Sequence, residues 1–261
     1  MYTTLGVVEV LPAIHNLRTN SPLAGIARRR IGGKTLLEWV VRRTADAHWV
    51  DQVVVIGPTD ALTSSLVALA PPDVRVFQSS AADALGRLAD LVRQIPCRAL
   101  VRLSVSTPFI DPILLDRLIA DNSAAPDPID NDIDYSSFCL SDGRPVLRTK
   151  VGVFAEWFRT TAIGQADRMA RTPGERGDPG GWMSAHPEIF AVKWLPAPAK
   201  LDRDDLRLAI NDEDDWEHVQ EILDALGPES LDWQYITALL DRHPQICQRM
   251  AELNRAEAYA T

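Results

Sequence analysis

Cysteine is scarce in this chain. Only Cys97, Cys139 and Cys247 occur, far apart and with no C-x-x-C pair. Three unpaired positions exclude a disulfide framework and a zinc site, and they fit a reducing, cytoplasmic setting. Long apolar runs are missing as well: none approaches the roughly 18 residues of a membrane span. The segment Met1 to Val10 has no basic region leading into a long apolar stretch, so neither export nor membrane insertion is expected. Positive charge is in deficit, with 27 Lys and Arg against 36 Asp and Glu and a net charge of −9. A nucleic-acid backbone demands cations that replace its counterions, so nucleic acid is not an expected partner. An anionic small ligand requires basic residues gathered locally. Internal repeats, coiled-coil heptads and low-complexity tracts are also lacking.

What is present is a 261-residue chain that is 46% hydrophobic, enough to bury a sizeable core as one large α/β domain or two small ones. Short β-branched runs alternate with helical patterns from the first residues. Strands are predicted at Leu5–Leu11, Val53–Ile56, Val74–Phe77 and Ala99–Ser104. Helices are predicted at Thr35–Ala47, Ala61–Ala70, Asp83–Gln94 and Pro112–Ala120. In the first helix Leu36, Leu37, Val40 and Val41 form the apolar stripe, with Arg42 and Arg43 outside it. This alternation implies parallel strands joined by right-handed crossovers, a doubly wound sheet over the first 120 residues. Ligands bind such sheets beyond the carboxyl ends of the strands, which singles out the loops 12–34, 57–60, 78–83 and 104–111.

The second half reads less regularly. A surface loop is expected at 122–134, strands at Ser136–Leu140, Leu147–Val153, Ile189–Leu195 and Leu206–Ile210, and a helix at Glu156–Met169. Thr172–Gly181, with four glycines and two prolines, is expected to be mobile. Asp214–Leu226 is predicted helical, with Trp216, Val219, Ile222 and Leu223 on one face, and 231–258 adds a helical tail. The tail has an amphipathic face at Leu231, Trp233, Ile236 and Leu240. Its pattern leaves open packing on its own domain or on a second copy, a homodimer.

Four segments carry a family resemblance. They are Gly32-Gly33-Lys34-Thr35-Leu36-Leu37-Glu38-Trp39-Val40, Ser80-Ala81-Ala82-Asp83-Ala84-Leu85-Gly86-Arg87, Val101 to Asp111 (VRLSVSTPFID) and Leu206 to Asp215 (LRLAINDEDD). In order and spacing they resemble the cytidylyltransferases that activate sugars and sugar acids, especially the branch of spore-coat polysaccharide biosynthesis. The likeness spans roughly residues 5–226. It implies a Rossmann-like nucleotidyltransferase fold, a mostly parallel central sheet flanked by helices. A nucleoside triphosphate would lie over its first half and a sugar over its second. The expected organisation is a nucleotidyltransferase-like α/β domain at 1–228 and a helical C-terminal extension at 229–261.

Nucleotidyl transfer attacks the α-phosphate of a triphosphate and expels pyrophosphate, so catalysis is mainly in-line positioning and charge neutralisation. In the family, a loop of form G-S-t-R-L-P-G-K brings backbone amides, an Arg and a Lys to the phosphates. Two aspartates at strand ends hold Mg²⁺ there, a hard cation that prefers oxygen ligands. Aligned through Gly32-Gly33-Lys34, the loop arginine falls on Pro22 and the lysine on Ile26, with Gly25 retained. The metal aspartates fall on Ser106 and Asn211. Losing one well-placed electrostatic group commonly costs about 2.7–4 kcal/mol of transition-state stabilisation. The expectation is therefore a degenerate enzyme that keeps a pocket for a nucleotide, a sugar or another anion, with Mg²⁺ as cofactor only if activity survives.

Remaining charged residues divide between structural and ligand roles. Asp111 before Pro112 and Asp83 before Ala84 fit helix N-caps; Asp83 and Arg87 are also nucleotide-binding candidates by the resemblance. Asp212 fits a helix N-terminus or takes over metal binding from Asn211. Arg28, with Arg29 and Arg30, forms a solvated basic turn or replaces the lost Arg and Lys, and His15 and Arg18 share that loop. His186, Cys97 and Cys139 read as structural. Glu175-Arg176-Gly177-Asp178-Pro179-Gly180 stands where relatives carry R-E-H-V-T near the sugar. Two rival readings remain: an active Mg²⁺-dependent transferase with displaced ligands, and a non-catalytic interaction module whose cleft is plugged by Pro22, Ile26 and Val105.

Overall fold

The computed structural model describes residues 2–10, 22–123 and 132–258. Strand β1 (Tyr2–Glu9) is followed by a 3-10 turn at Pro22–Arg28 and a small hairpin of β2 (Arg30–Ile31) and β3 (Lys34–Thr35). Alternation then sets in: α1 (Leu36–Ala45), β4 (Gln52–Pro58), α2 (Ala61–Val67), β5 (Arg75–Ser79), α3 (Ala84–Gln94), β6 (Cys97–Ser104) and α4 (Pro112–Ser123). The second half supplies β7 (Tyr135–Cys139), β8 (Glu156–Arg159), α5 (Thr160–Met169), α6 (Pro173–Gly177), α7 (Pro179–Ala185) and β9 (Val192–Pro196). Helices α8 (Glu213–Leu226), α9 (Trp233–Arg242) and α10 (Pro244–Ala258) complete it.

One seven-stranded sheet of order β5-β4-β1-β6-β8-β7-β9 organises the molecule. β5, β4, β1 and β6 are mutually parallel, β8 runs antiparallel to both β6 and β7, and β7 pairs parallel with β9. This is the predicted mostly parallel α/β sheet flanked by helices. Successive side chains alternate between its two faces. Val8, Val55 and Val101 enter one core with α1, α4, α8, α9 and α10. Leu5, Val7, Val54, Ile56 and Leu100 enter a second core with α3, α5 and α7. Burial on both faces is why these strands read as continuous apolar runs. Leu231, just before α9, and Ile236, Leu240 and Met250 of the C-terminal helices belong to the first of these cores.

Local signals place the helices. Thr35 caps α1 by accepting from Glu38 N, Asp60 caps α2, and Asp83 caps α3 by accepting from Gly86 N at 2.7 Å. Asp111 is fully buried and accepts from Ile113 N and Leu114 N at 3.0 Å and from Trp233 N at 3.1 Å, tying α4 to the start of α9.

Four expectations for the second half are corrected. Leu147–Val153 is not a strand: a 3-10 turn occupies Val146–Arg148, and Val151 and Val153 are buried from an irregular segment. Glu156–Met169 is not all helix, because its first four residues form β8, whose apolar run on a two-sided sheet has no period distinguishing it from a helix. Leu206–Ile210 forms no strand; Leu208 N and Ala209 N both donate to Lys150 O and Ile210 N donates to Ser106 O, with no ladder. Thr172–Gly181 is ordered as α6 and α7, each opening with proline after a capping residue, and Thr172 forms a full capping box with Glu175. Gly180 answers a packing demand: a β-carbon there would collide with Glu156 Oε1.

Candidate functional site

Along one face of the central strands the apolar stripe turns charged at its final position. β1 reads Leu5-Val7-Glu9, β6 reads Leu100-Arg102, and the antiparallel β8 meets them with Phe158 beside Leu100 and Glu156 beside Arg102. The three charged side chains that result form one buried network with Tyr135 of β7. Arg102 Nε donates to Glu9 Oε2 and its Nη1 to Glu156 Oε2, both at 2.9 Å, while Tyr135 Oη donates to Glu156 Oε1 at 2.9 Å. Arg87 Nη2 stands 4.0 Å from Glu9 Oε1, an oxygen that has no hydrogen-bond partner. Two guanidinium groups thus balance two carboxylates.

Burial sets the protonation behaviour of this network. It raises the Glu156 carboxyl above the usual carboxylate range, against the pull of Arg102. It also pushes the Tyr135 phenol well above its ordinary value, reinforced by Glu156. Burial alone would disfavour the Arg102 charge, but Glu9 and Glu156 outweigh it and hold the guanidinium protonated. The tyrosine therefore remains a donor and the arginine a fixed cation.

Above this network opens a cavity of about 500 Å³, at the edge where β1 and β6 end and β8 begins. That volume suits a small-molecule site. Glu9, Arg102, Tyr135 and Glu156 line it, with Ser104, Ser106, Thr107 and Trp194 beside them. Arg148, Lys150 and Asn211 line it as well. Gly152, at φ +66, lets the 149–153 segment pass against residues 208–209; a β-carbon there would lie 2.5 Å from Ala209 N. This crossing brings Lys150 Nζ to 3.4 Å from Asn211 Oδ1 and 2.7 Å from Glu257 Oε1 of α10. Arg148 is held by Asp178, the cap of α7, at 2.5 Å.

The sequence-derived candidates fall in different places. Ser106 and Asn211 share the cavity, and Ile210 N bonds to Ser106 O at 2.8 Å. Ser106 Oγ lies 2.8 Å from Ser104 Oγ. Asp212 caps α8, accepting from Asp215 N at 2.9 Å, and its second oxygen accepts from Arg207 Nη2 at 3.0 Å. Asp83, besides capping α3, accepts from Arg176 Nε at 2.9 Å. Arg28 bonds to Ser65, Arg29 pairs with Glu213 over the Trp216 ring, and Arg30 bonds to Gly33 O; none of the three lines the cavity. Pro22 and Gly25 belong to the 3-10 turn. Ile26 and Val105 are buried in the first core and do not line the cavity. His15, Arg18 and Ser21 lie outside the described residues. His186 Nδ1 contacts Trp182 O at 2.8 Å within its own turn.

Glu9, Arg102, Tyr135, Arg148, Lys150 and Glu156 had not been singled out from sequence. A signal existed for three of them. Glu9 and Arg102 interrupt otherwise apolar central strands, and Glu156 opens another; a charge so placed requires a buried partner or a ligand.

Sheet order, flanking helices and a cavity beyond the carboxyl ends of β1 and β6 define a protein of the nucleotidyltransferase fold. Within that class the chain is similar to cytidylyltransferases: the model of the cytidylyltransferase family matches residues 26–149. The spore coat polysaccharide biosynthesis protein SpsF of Bacillus subtilis is 23% identical over 244 residues, covering 90% of this chain and 95% of that relative. A 3-deoxy-manno-octulosonate cytidylyltransferase of Syntrophotalea carbinolica is 29% identical over 122 residues, 47% of each chain. Among solved structures, a cytidylyltransferase from Leptospira borgpetersenii serovar Hardjo-bovis superposes with a TM-score of 0.76 at 20% identity, covering 95% of this chain and 96% of that one. No helix among the described residues is long and apolar enough to cross a membrane.

Proposed function

We propose that this chain is a cytidylyltransferase relative that has lost most or all nucleotidyl transfer and keeps the cleft as a binding site for a sugar or nucleotide bearing an anionic group. The observation that carries the reading is Lys150 Nζ beside Asn211, at 3.4 Å from Oδ1. At the two positions where the resemblance expects metal-binding aspartates, the cleft offers a serine, an asparagine and a neighbouring ammonium. Neutral oxygens touch a divalent cation without neutralising it, and an ammonium repels it. Among the described residues no group of three or more His, Cys, Asp or Glu has metal-binding geometry. This donor set does not suit Mg²⁺, and no step through a metal is derived.

The same residues suit an anion. Lys150 and Arg148 stand at the mouth paired with Glu257 and Asp178, carboxylates that an anionic group replaces, with the hydroxyls of Ser104, Ser106 and Thr107 nearby. At the base lies the buried network of Glu9, Arg102, Glu156 and Tyr135, and Trp194 offers an apolar wall. The test is thermal unfolding with CTP, nucleotide-sugars and sugar phosphates, each with and without Mg²⁺, beside an assay of pyrophosphate release. Metal-independent stabilisation without turnover is expected; a ligand at about 100 times its Kd adds roughly 2.7 kcal/mol. Mg²⁺-dependent turnover of CTP with a sugar acid would overturn the reading.

A further inference from the structure

The segment carrying Arg148, Thr149 and Lys150 has a second side. There it walls a separate cavity of about 810 Å³, closed by residues 203–206 and by α10. Five cationic side chains line it (Arg144, Arg148, Lys150, Arg203 and Arg255) against three acidic ones, Asp204, Asp205 and Glu257. In a chain of net charge −9, this local excess is opposite in sign to the whole. We propose that this second cavity is a binding site for a diphosphate group.

Three features carry the assignment. Arg255 is exposed on α10 and has no ion-pair or hydrogen-bond partner among the described residues. Arg144 is half exposed, and its carboxylate partners Asp142 and Asp204 are more than a third exposed. Pairs so open to water are weak and exchange readily for a multiply charged phosphate, which guanidinium groups grip with two parallel bonds. Third, Glu257 already places a carboxylate against Lys150 Nζ at 2.7 Å, while also accepting from Arg207 Nη1 at 2.7 Å. This carboxylate occupies part of the anion's place and competes with it for Lys150. An arriving diphosphate takes over Lys150 and leaves Glu257 paired with the buried Arg207.

Titration calorimetry of the full chain with inorganic pyrophosphate tests the site. Arg255→Ala and Arg144→Ala, both surface changes, are each expected to weaken binding about five-fold or more, and added salt to weaken it further. Glu257→Gln is expected to strengthen it by removing the competitor. Leu147 lines the cleft and not the second cavity, so Leu147→Trp is expected to leave pyrophosphate binding unchanged. Equal affinity in Arg255→Ala, Arg144→Ala and wild type, loss of binding in Leu147→Trp, or no pyrophosphate binding overturns the proposal. A nucleoside diphosphate run alongside separates the sources: equal affinity assigns free pyrophosphate, and tighter binding assigns a larger molecule carrying the group. Cleft turnover plays no part in this readout, so the two proposals fail separately.

Discussion

Lys150 Nζ lies 3.4 Å from Asn211 Oδ1, an ammonium facing a neutral amide. On its other side the amide Nδ2 of Asn211 donates to Asp215 Oδ2 at 3.1 Å. Asn211→Asp turns that contact into two facing carboxylates, and the partly exposed Lys150 offsets only part of the repulsion. A loss of about 1–3 kcal/mol is expected, read as a lower urea midpoint. In Ser106→Asp/Asn211→Asp, Mg²⁺ is expected to recover part of the loss while leaving the wild-type midpoint unchanged.

Arg102 bridges two buried carboxylates, and removing it leaves Glu9 with Arg87 at 4.0 Å and Glu156 with the Tyr135 hydroxyl. Arg102→Met is expected to cost about 3–5 kcal/mol. Tyr135→Phe deletes one hydrogen bond to Glu156 and is expected to cost about 1.5–3 kcal/mol, as for bonds to charged groups. Urea denaturation of the two variants gives the order, with Arg102→Met the less stable.

His218 on α8 is buried, and its Nδ1 has no hydrogen-bond partner. Burial, and then the nearby Arg249, hold its pKa below the ordinary 6.5, against the opposing pull of Glu221, Asp215 and Asp214. A depressed folded value means that the histidine favours the fold above the unfolded pKa, and that this contribution is lost as pH falls through the folded one. Urea midpoints from about pH 7.5 to about pH 5.5 are expected to decline in the wild type and to decline less in His218→Leu.

Gly152 holds the crossing that presents Lys150 to the cleft. Gly152→Ala forces a left-handed backbone on alanine, at a cost of roughly 1–3 kcal/mol, and presses its β-carbon on the Ala209 backbone. A lower melting temperature is expected, together with weaker binding of any cleft ligand, since residues 209–211 shift with that contact.

The parallel half of the fold was legible because each of its elements carries a local signal: β-branched runs for β1, β4 and β6, and the caps Thr35, Asp60 and Asp83. The second half was not, for a different reason at each place. β8 is a four-residue strand buried on both faces and running directly into α5, so no change of period marks its start. Val151 and Val153, and Leu206, Leu208 and Ile210, are buried from segments that cross singly where a strand would pair. Ser106 and Asn211 were found through the family segments. Lys150 was hidden in a stretch read as strand, and its meeting with Asn211 depends on a crossing that no local pattern encodes.

The reversal of β8 has a consequence for how such a cleft changes over time. Because β8 runs against β6, the cleft receives the end of one strand and the approach to the other. Residues 145–155, which carry Arg148 and Lys150, arrive as an entering connection that adds no rung to the parallel ladder. Exchange of Arg148 and Lys150 alone, with the buried Val151 and Val153 of the same connection kept, can rewrite the charge of the cleft and of its neighbouring cavity together. The scaffold is thereby insulated from its own specialisation, and a lineage can trade one ligand for another without refolding its sheet.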